Sequence, residues 1–174
     1  MLTIEALNAM SVQEFTAALG SIFEHSAWVA AGAARRRPFA DREQLHRVMC
    51  EEVAAASAAE QHALIIAHPK LGARGRQGAQ LTASSAHEQS RAGLDACTDE
   101  EFTELLRLNE LYMARFEFPF ILAVRGHTPE SILAAMTQRL DNDPATERAT
   151  ALQQINRIAG FRLADSIVPA QVAQ

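Results

Sequence analysis

At 174 residues, 48% of them hydrophobic and with a net charge of −5, the chain is long enough for a single globular domain with a substantial core. Its one basic cluster, Arg35-Arg36-Arg37, is too narrow a face for nucleic acid. No apolar run reaches the roughly 18 residues that a membrane span needs.

The first periodic segment opens with the capping box Ser11-Val12-Gln13-Glu14, followed by Phe15, Leu19, Ile22 and Phe23 at helical spacing. An alanine-rich helix is expected from Ser26 to Arg37, stopped by Pro38, with the arginines as a solvated C-terminal end. Asp41 caps a third helix carrying Leu45, Val48, Met49 and Val53, and a fourth covers Ala58 to Ile66. Positions 71–80 hold three glycines and keep neither period, so they form a loop. Thr82 or Ser84 starts the next helix, and the capping box Thr98-Asp99-Glu100-Glu101 starts a long one bearing Phe102, Leu105, Leu106, Tyr112 and Phe116. Residues 118–124 read as extended chain outside a sheet, because Pro119 cannot donate to a ladder. Thr128-Pro129 and Asp143-Pro144 open the last two helices. The fold class is therefore all-α, a single-domain bundle of seven to nine helices.

Three segments place polar groups where folding alone does not ask for them. In the first, His68 follows the apolar run Ala63-Leu64-Ile65-Ile66 and precedes Pro69 and the glycine-rich loop 72–78. Proline bars its predecessor from continuing a helix, which sets an imidazole at a loop's edge, where acid–base chemistry near neutral pH is natural. The plain alternative is a histidine closing a helix. In the second, Ser85-Ala86-His87-Glu88-Gln89 has the spacing of another capping box, but Thr82 and Ser84 compete for that role and would free Glu88 and Gln89. His87 itself points about 100° away from Glu88 on a helix. In the third, Phe120, Ile121, Leu122, Ala123 and Val124 run into Arg125. Extended backbone there could offer amide groups to a small heterocycle, and the Arg125 fork could meet a carboxylate or ureido group. A surface arginine or a salt bridge is the simpler use.

Exclusions sharpen the reading. Lys70 is the only lysine, so Schiff-base chemistry would have to use it. Neither a phosphate-cradling GxxxxGK[ST] nor GxGxxG is present. His46 and Cys50 stand four apart, a metal-binding spacing, but no third ligand can be named and packing is the better account. His25, His62 and His127 read as surface or cap residues. Two cysteines, Cys50 and Cys97, make no disulfide framework, and both are expected reduced and buried. No basic-then-apolar leader opens the chain, and Val172-Ala173-Gln174 is no peroxisomal address. The expected location is cytoplasmic.

Taken in order, His68-Pro69-x-Leu71-Gly72, Leu81-Thr82-x-x-Ser85-x-x-Glu88-Gln89-x-x-Ala92-Gly93-Leu94, and Asn109-x-x-Tyr112-x-x-x-Phe116-x-Phe118-Pro119-Phe120-Ile121-x-x-x-Arg125-Gly126 resemble the signature of the 2-oxo-4-hydroxy-4-carboxy-5-ureidoimidazoline (OHCU) decarboxylases. The resemblance runs from about Phe15 to the final helix with Arg157, Ile158 and Arg162. It implies an all-α, often dimeric, cofactor-independent enzyme that forms (S)-allantoin at the end of urate oxidation. By that resemblance His68 matches the catalytic histidine. Pro69, Ser85, Ala86, His87, Glu88, Gln89 and Phe120, Ile121, Leu122, Ala123 and Val124 match substrate contacts. Lys70 stands where the resemblance implies an acidic residue in many members and a basic one in others, so it assigns that side chain no role. Glu88 is assigned a catalytic share, holding a hydroxyl or ureido N–H, and Arg125 is a further candidate contact. Two rival classes stay open: a helical interaction module without a reaction, and a metal-dependent hydrolase acting on a related purine intermediate.

Overall fold

The computed structural model describes residues 2–72 and 81–168, and all nine α-helices below lie within them. These are α1 (Ile4–Ala9), α2 (Val12–Leu19), α3 (Ala27–Ala34), α4 (Arg42–Ala55), α5 (Ala58–Ile66), α6 (Ala83–Arg91), α7 (Asp99–Phe116), α8 (Pro129–Arg139) and α9 (Pro144–Ser166). A single 3-10 turn, Leu94–Ala96, lies between α6 and α7. The all-α expectation holds: the sole β pairing among the described residues is an isolated bridge between Leu2 and Ile167.

Local chemistry sets the helix starts. Ser11, Ser57 and Thr98 each accept from the backbone N–H three residues on, while the glutamates at those positions return the bond. Asp41 caps α4 and Thr128 caps α8, with Pro129 at the first position. Six-residue α1, capped by Thr3, is too short to announce itself by periodicity.

The chain divides into two compact units, residues 1–67 with 156–174, and residues 68–155. In the first unit, α3 packs between α2 and α4. Here the arginine cluster departs from expectation. Helix α3 ends at Ala34, and Arg37 turns inward, its Nε donating to the Ala34 carbonyl at 2.7 Å and its Nη1 to the carbonyls of Leu7 (3.2 Å) and Met10. Its guanidinium also lies 5.2 Å from the Phe15 ring centre. Only Arg35 and Arg36 are exposed. Arg36 pairs with Glu51 at 2.5 Å.

In the second unit α7 packs on α8. Tyr112 of α7 is fully buried and its ring contacts Phe116, Phe118 and Phe120, with centroids 4.6, 5.9 and 5.2 Å away. This aromatic cluster anchors the extended residues 118–124 through Phe118 and Phe120, and all seven of those residues are buried without joining a sheet.

Candidate active site

The candidate residues fall within the second unit. Helix α5 closes at Ala67, and His68 comes next, 7% exposed. Positions 73–80, which complete the expected glycine-rich loop, lie outside the described residues. The turn that leads there bends at Gly72, whose φ of +74° is left-handed and strains any residue with a side chain. A Cβ at this position would also stand 2.5 Å from Leu105 Cδ2.

Two side-chain amides hold the turn. The Gly72 N–H donates to Gln89 Oε1 at 2.9 Å, and Gln89 Nε2 donates to the Lys70 carbonyl at 3.4 Å. Asn109 Nδ2 donates to the Leu71 carbonyl at 3.0 Å. Three consecutive residues behind the imidazole are thereby tied to α6 and α7.

Thr82 is the cap of α6, accepting from Ser85 N–H. The Ser85-x-x-Glu88 spacing is therefore not this helix's capping box. Ser85 and Gln89 lie on its buried face, each 4% exposed, and Ala86 and Glu88 are half-buried. His87 is exposed, about 200° around the helix from Ser85, so its side chain faces away from that surface.

Residues 118–124 are held by a different device. Arg139 Nη1 donates to the Ile121 carbonyl at 2.7 Å, and the guanidinium lies 4.3 Å from the Phe120 ring centre. Behind it Glu147, fully buried, accepts from Arg139 Nε at 2.8 Å, from Asn142 Nδ2 at 2.8 Å and from the Tyr112 hydroxyl. Burial first, then the neighbouring carboxylate, hold the Tyr112 phenol far above its ordinary range. The Ala123 N–H donates to Gln154 Oε1 at 3.0 Å, and the Val124 carbonyl accepts from His127 N–H at 2.9 Å. The Ile121 carbonyl and Ala123 amide thus hold the segment itself, where the sequence suggested ligand contacts. Arg125, just beyond, is exposed.

Helix α7 brings the two segments together. Asn109 and Tyr112 are one turn apart on the same face, about 4.5 Å along the axis. One holds the His68 turn and the other packs against Phe118 and Phe120. Asn109, Arg139, Glu147 and Gln154 had no assigned role in the sequence, yet three carried a signal. Asn109 interrupts the apolar stripe Leu105-Leu108-Tyr112, Arg139 continues Ile132-Met136, and Glu147 heads Ala151-Ile155. Polar residues on a buried stripe must be paired.

No group of three or more His, Cys, Asp or Glu side chains among the described residues is arranged to hold a metal. In the first unit His46 Nε2 lies 2.8 Å from the Asn156 carbonyl and 3.4 Å from Cys50 Sγ, which is a packing role. Both cysteines are free and half-buried, less enclosed than expected, and burial pushes the Cys50 thiol up to about 11. No helix among the described residues is long and apolar enough to cross a membrane.

The site thus belongs to an all-α protein in which a buried imidazole opens a turn braced from α6 and α7. The OHCU decarboxylase family matches residues 8–164. An OHCU decarboxylase of Haloferax volcanii is 40% identical over 94% of this chain and 95% of its own length. The uric acid degradation bifunctional protein of Bacillus subtilis is 46% identical over 96% of this chain, which spans only 33% of that protein. A crystal structure of (S)-allantoin synthase aligns with TM-score 0.75 at 31% identity, over 95% of this chain and 54% of its own. The chain belongs to the OHCU decarboxylase family.

Proposed function

We propose that this protein decarboxylates OHCU to (S)-allantoin, with His68 as proton donor and Glu88 holding the substrate's hydroxyl or ureido N–H. The observation that carries the reading is a family match extending from residue 8 to 164, through both compact units, with His68 buried on a turn tied down at Lys70, Leu71 and Gly72. The same extent supports treating residues 1–174 as one decarboxylase domain.

The substrate supplies its own electron sink. When CO2 leaves, the pair of the broken C–C bond forms a double bond to the neighbouring ring carbon, and the C=N pair moves to nitrogen, which takes a proton. The enol so formed releases its hydroxyl proton to become a carbonyl and accepts one proton at the adjacent carbon. Delivery to one face sets the single stereocentre. The protein must orient the substrate, steady developing charge and place that proton. The reaction as written asks for no pyridoxal, thiamine or metal. Pro69, Ser85, Gln89 and the surface of residues 120–124 shape the pocket wall in this reading. Ala86 and His87 contribute through α6 backbone, and Arg125 from the exposed end of the segment. A cytoplasmic homodimer is the expected setting, supported by the family resemblance, and light scattering decides the assembly.

The test follows freshly generated urate-oxidation intermediate by circular dichroism. The protein should speed the appearance of optically pure (S)-allantoin, and His68→Asn should slow it at least about 10²-fold while retaining the helical spectrum. Unaltered formation of the optical signal with His68→Asn removes the histidine from the mechanism. No acceleration by the wild-type protein refutes the decarboxylase reading.

A further inference from the structure

Asn109 is 5% exposed and sits among leucines and Tyr112 on the inner stripe of α7. Its Nδ2 donates to the Leu71 carbonyl at 3.0 Å, whereas its Oδ1, equally buried, finds no hydrogen-bond partner among the described residues. The orientation is forced: a backbone carbonyl only accepts, so the amide nitrogen must face it and the oxygen is left over. Packing alone would favour leucine, which has similar bulk and no polar atom to strand. The donor is the part of this side chain that the fold uses.

What the donor holds is specific. Gln89 secures the backbone on either side, at Lys70 and Gly72, but leaves Leu71 to Asn109. Without Asn109 the Leu71 carbonyl would lose this tie, leaving the side-chain bonds to Lys70 and Gly72, both of which come from α6. With it, the turn is referenced to α7, the helix whose next turn carries Tyr112 against Phe118 and Phe120. We propose that Asn109 is a positioning residue for the reaction. It sets the register of the His68–Gly72 turn against the wall formed by residues 118–124, at the expense of a stranded buried oxygen. It touches no reacting atom and acts through the Leu71 carbonyl.

The inference rests on the decarboxylase reading, so wild type and variants are assayed side by side. Asn109→Leu preserves bulk and removes both polar atoms. Its kcat should fall by about ten- to a hundredfold, the scale on which a misplaced catalytic group acts, with KM nearly unchanged and Tm unchanged or higher. Asn109→Asp keeps the shape but turns an oxygen toward the Leu71 carbonyl, and should lose kcat in the same way. The Gly72 amide, followed by hydrogen exchange in both variants, should exchange faster than in wild type while amides of α7 do not. Wild-type kcat in either variant overturns the inference. So does a loss of kcat accompanied by a collapse of Tm in Asn109→Leu, which would make the residue merely structural. A wild-type protein without activity refutes the decarboxylase reading separately. In that event unchanged Gly72 exchange overturns the positioning role, and faster exchange supports it.

Discussion

The two non-helical segments of the second unit are braced by opposite kinds of chemistry. The turn after His68 hangs on neutral amides, Gln89 and Asn109, each reaching only backbone. Residues 118–124 rest on a buried ion pair, Arg139 with Glu147, backed by Tyr112 and Asn142 and by an aromatic cluster. Neutral hydrogen bonds contribute about 0.5–1.5 kcal/mol each and can be lost without unfolding a domain. A buried charge that loses its partner is far more costly. The difference separates duties: the ionic brace belongs to the stability of the unit, and the amide brace to the precision of the imidazole.

The largest expected effect follows from removing the ionic brace. Glu147 is fully buried and Arg139 nearly so. Glu147→Ala strands the guanidinium together with the Tyr112 hydroxyl and should destabilise the protein by about 3–5 kcal/mol, read from urea unfolding. If Glu147→Ala unfolds at the wild-type midpoint, the contrast between the two braces collapses.

Much of this arrangement was written in local sequence, and its limits are physical. The helices with strong caps, α2, α4, α5, α7 and α8, begin where Ser11, Asp41, Ser57, Thr98 and Thr128 place them, because capping depends on neighbours three residues apart. Residues 118–124 were legible as extended and not sheet, since Pro119 rules on that locally. The end of α3 was misplaced because Arg37 obeys distant carbonyls, those of Leu7 and Met10. His68 and α6 stood out as a site by residue type and order. The braces did not, because Asn109 to Leu71 and Arg139 to Ile121 join positions 38 and 18 residues apart, and no periodicity encodes such pairings. Only the polar interruption of an apolar stripe hinted at them.

A smaller effect, dependent on pH, sharpens the ionic side. Burial and Glu147 raise the Tyr112 phenol above its ordinary value of 10.0. The folded state therefore holds this proton where the unfolded chain releases it. That contribution is complete below about pH 10 and is lost as pH climbs from there toward the folded value. Stability should fall progressively above pH 10. Tyr112→Phe should lose about 1.5–3 kcal/mol at neutral pH, the range for a hydrogen bond to a charged group, and flatten the part of the alkaline decline due to this residue. An alkaline decline identical in Tyr112→Phe and wild type would show that the phenol carries none of it.

The smallest stability effect belongs to the turn, and there the consequence for function should be disproportionate. Gly72→Ala places a Cβ on a left-handed residue, φ +74°, and 2.5 Å from Leu105 Cδ2. The backbone strain is about 1–2 kcal/mol; the leucine is the far end of a flexible side chain and can yield. A shift of the backbone toward negative φ swings the Gly72 N–H away from Gln89 Oε1 and loosens the turn four residues beyond His68. Turnover should therefore fall by more than about tenfold, more than the modest drop in stability would suggest, because catalysis responds to displacements too small to unfold a domain. Measuring kcat and the unfolding midpoint together decides it. Activity that tracks the folded fraction alone would mean that the amide brace, like the ionic one, serves stability and not the placement of the imidazole.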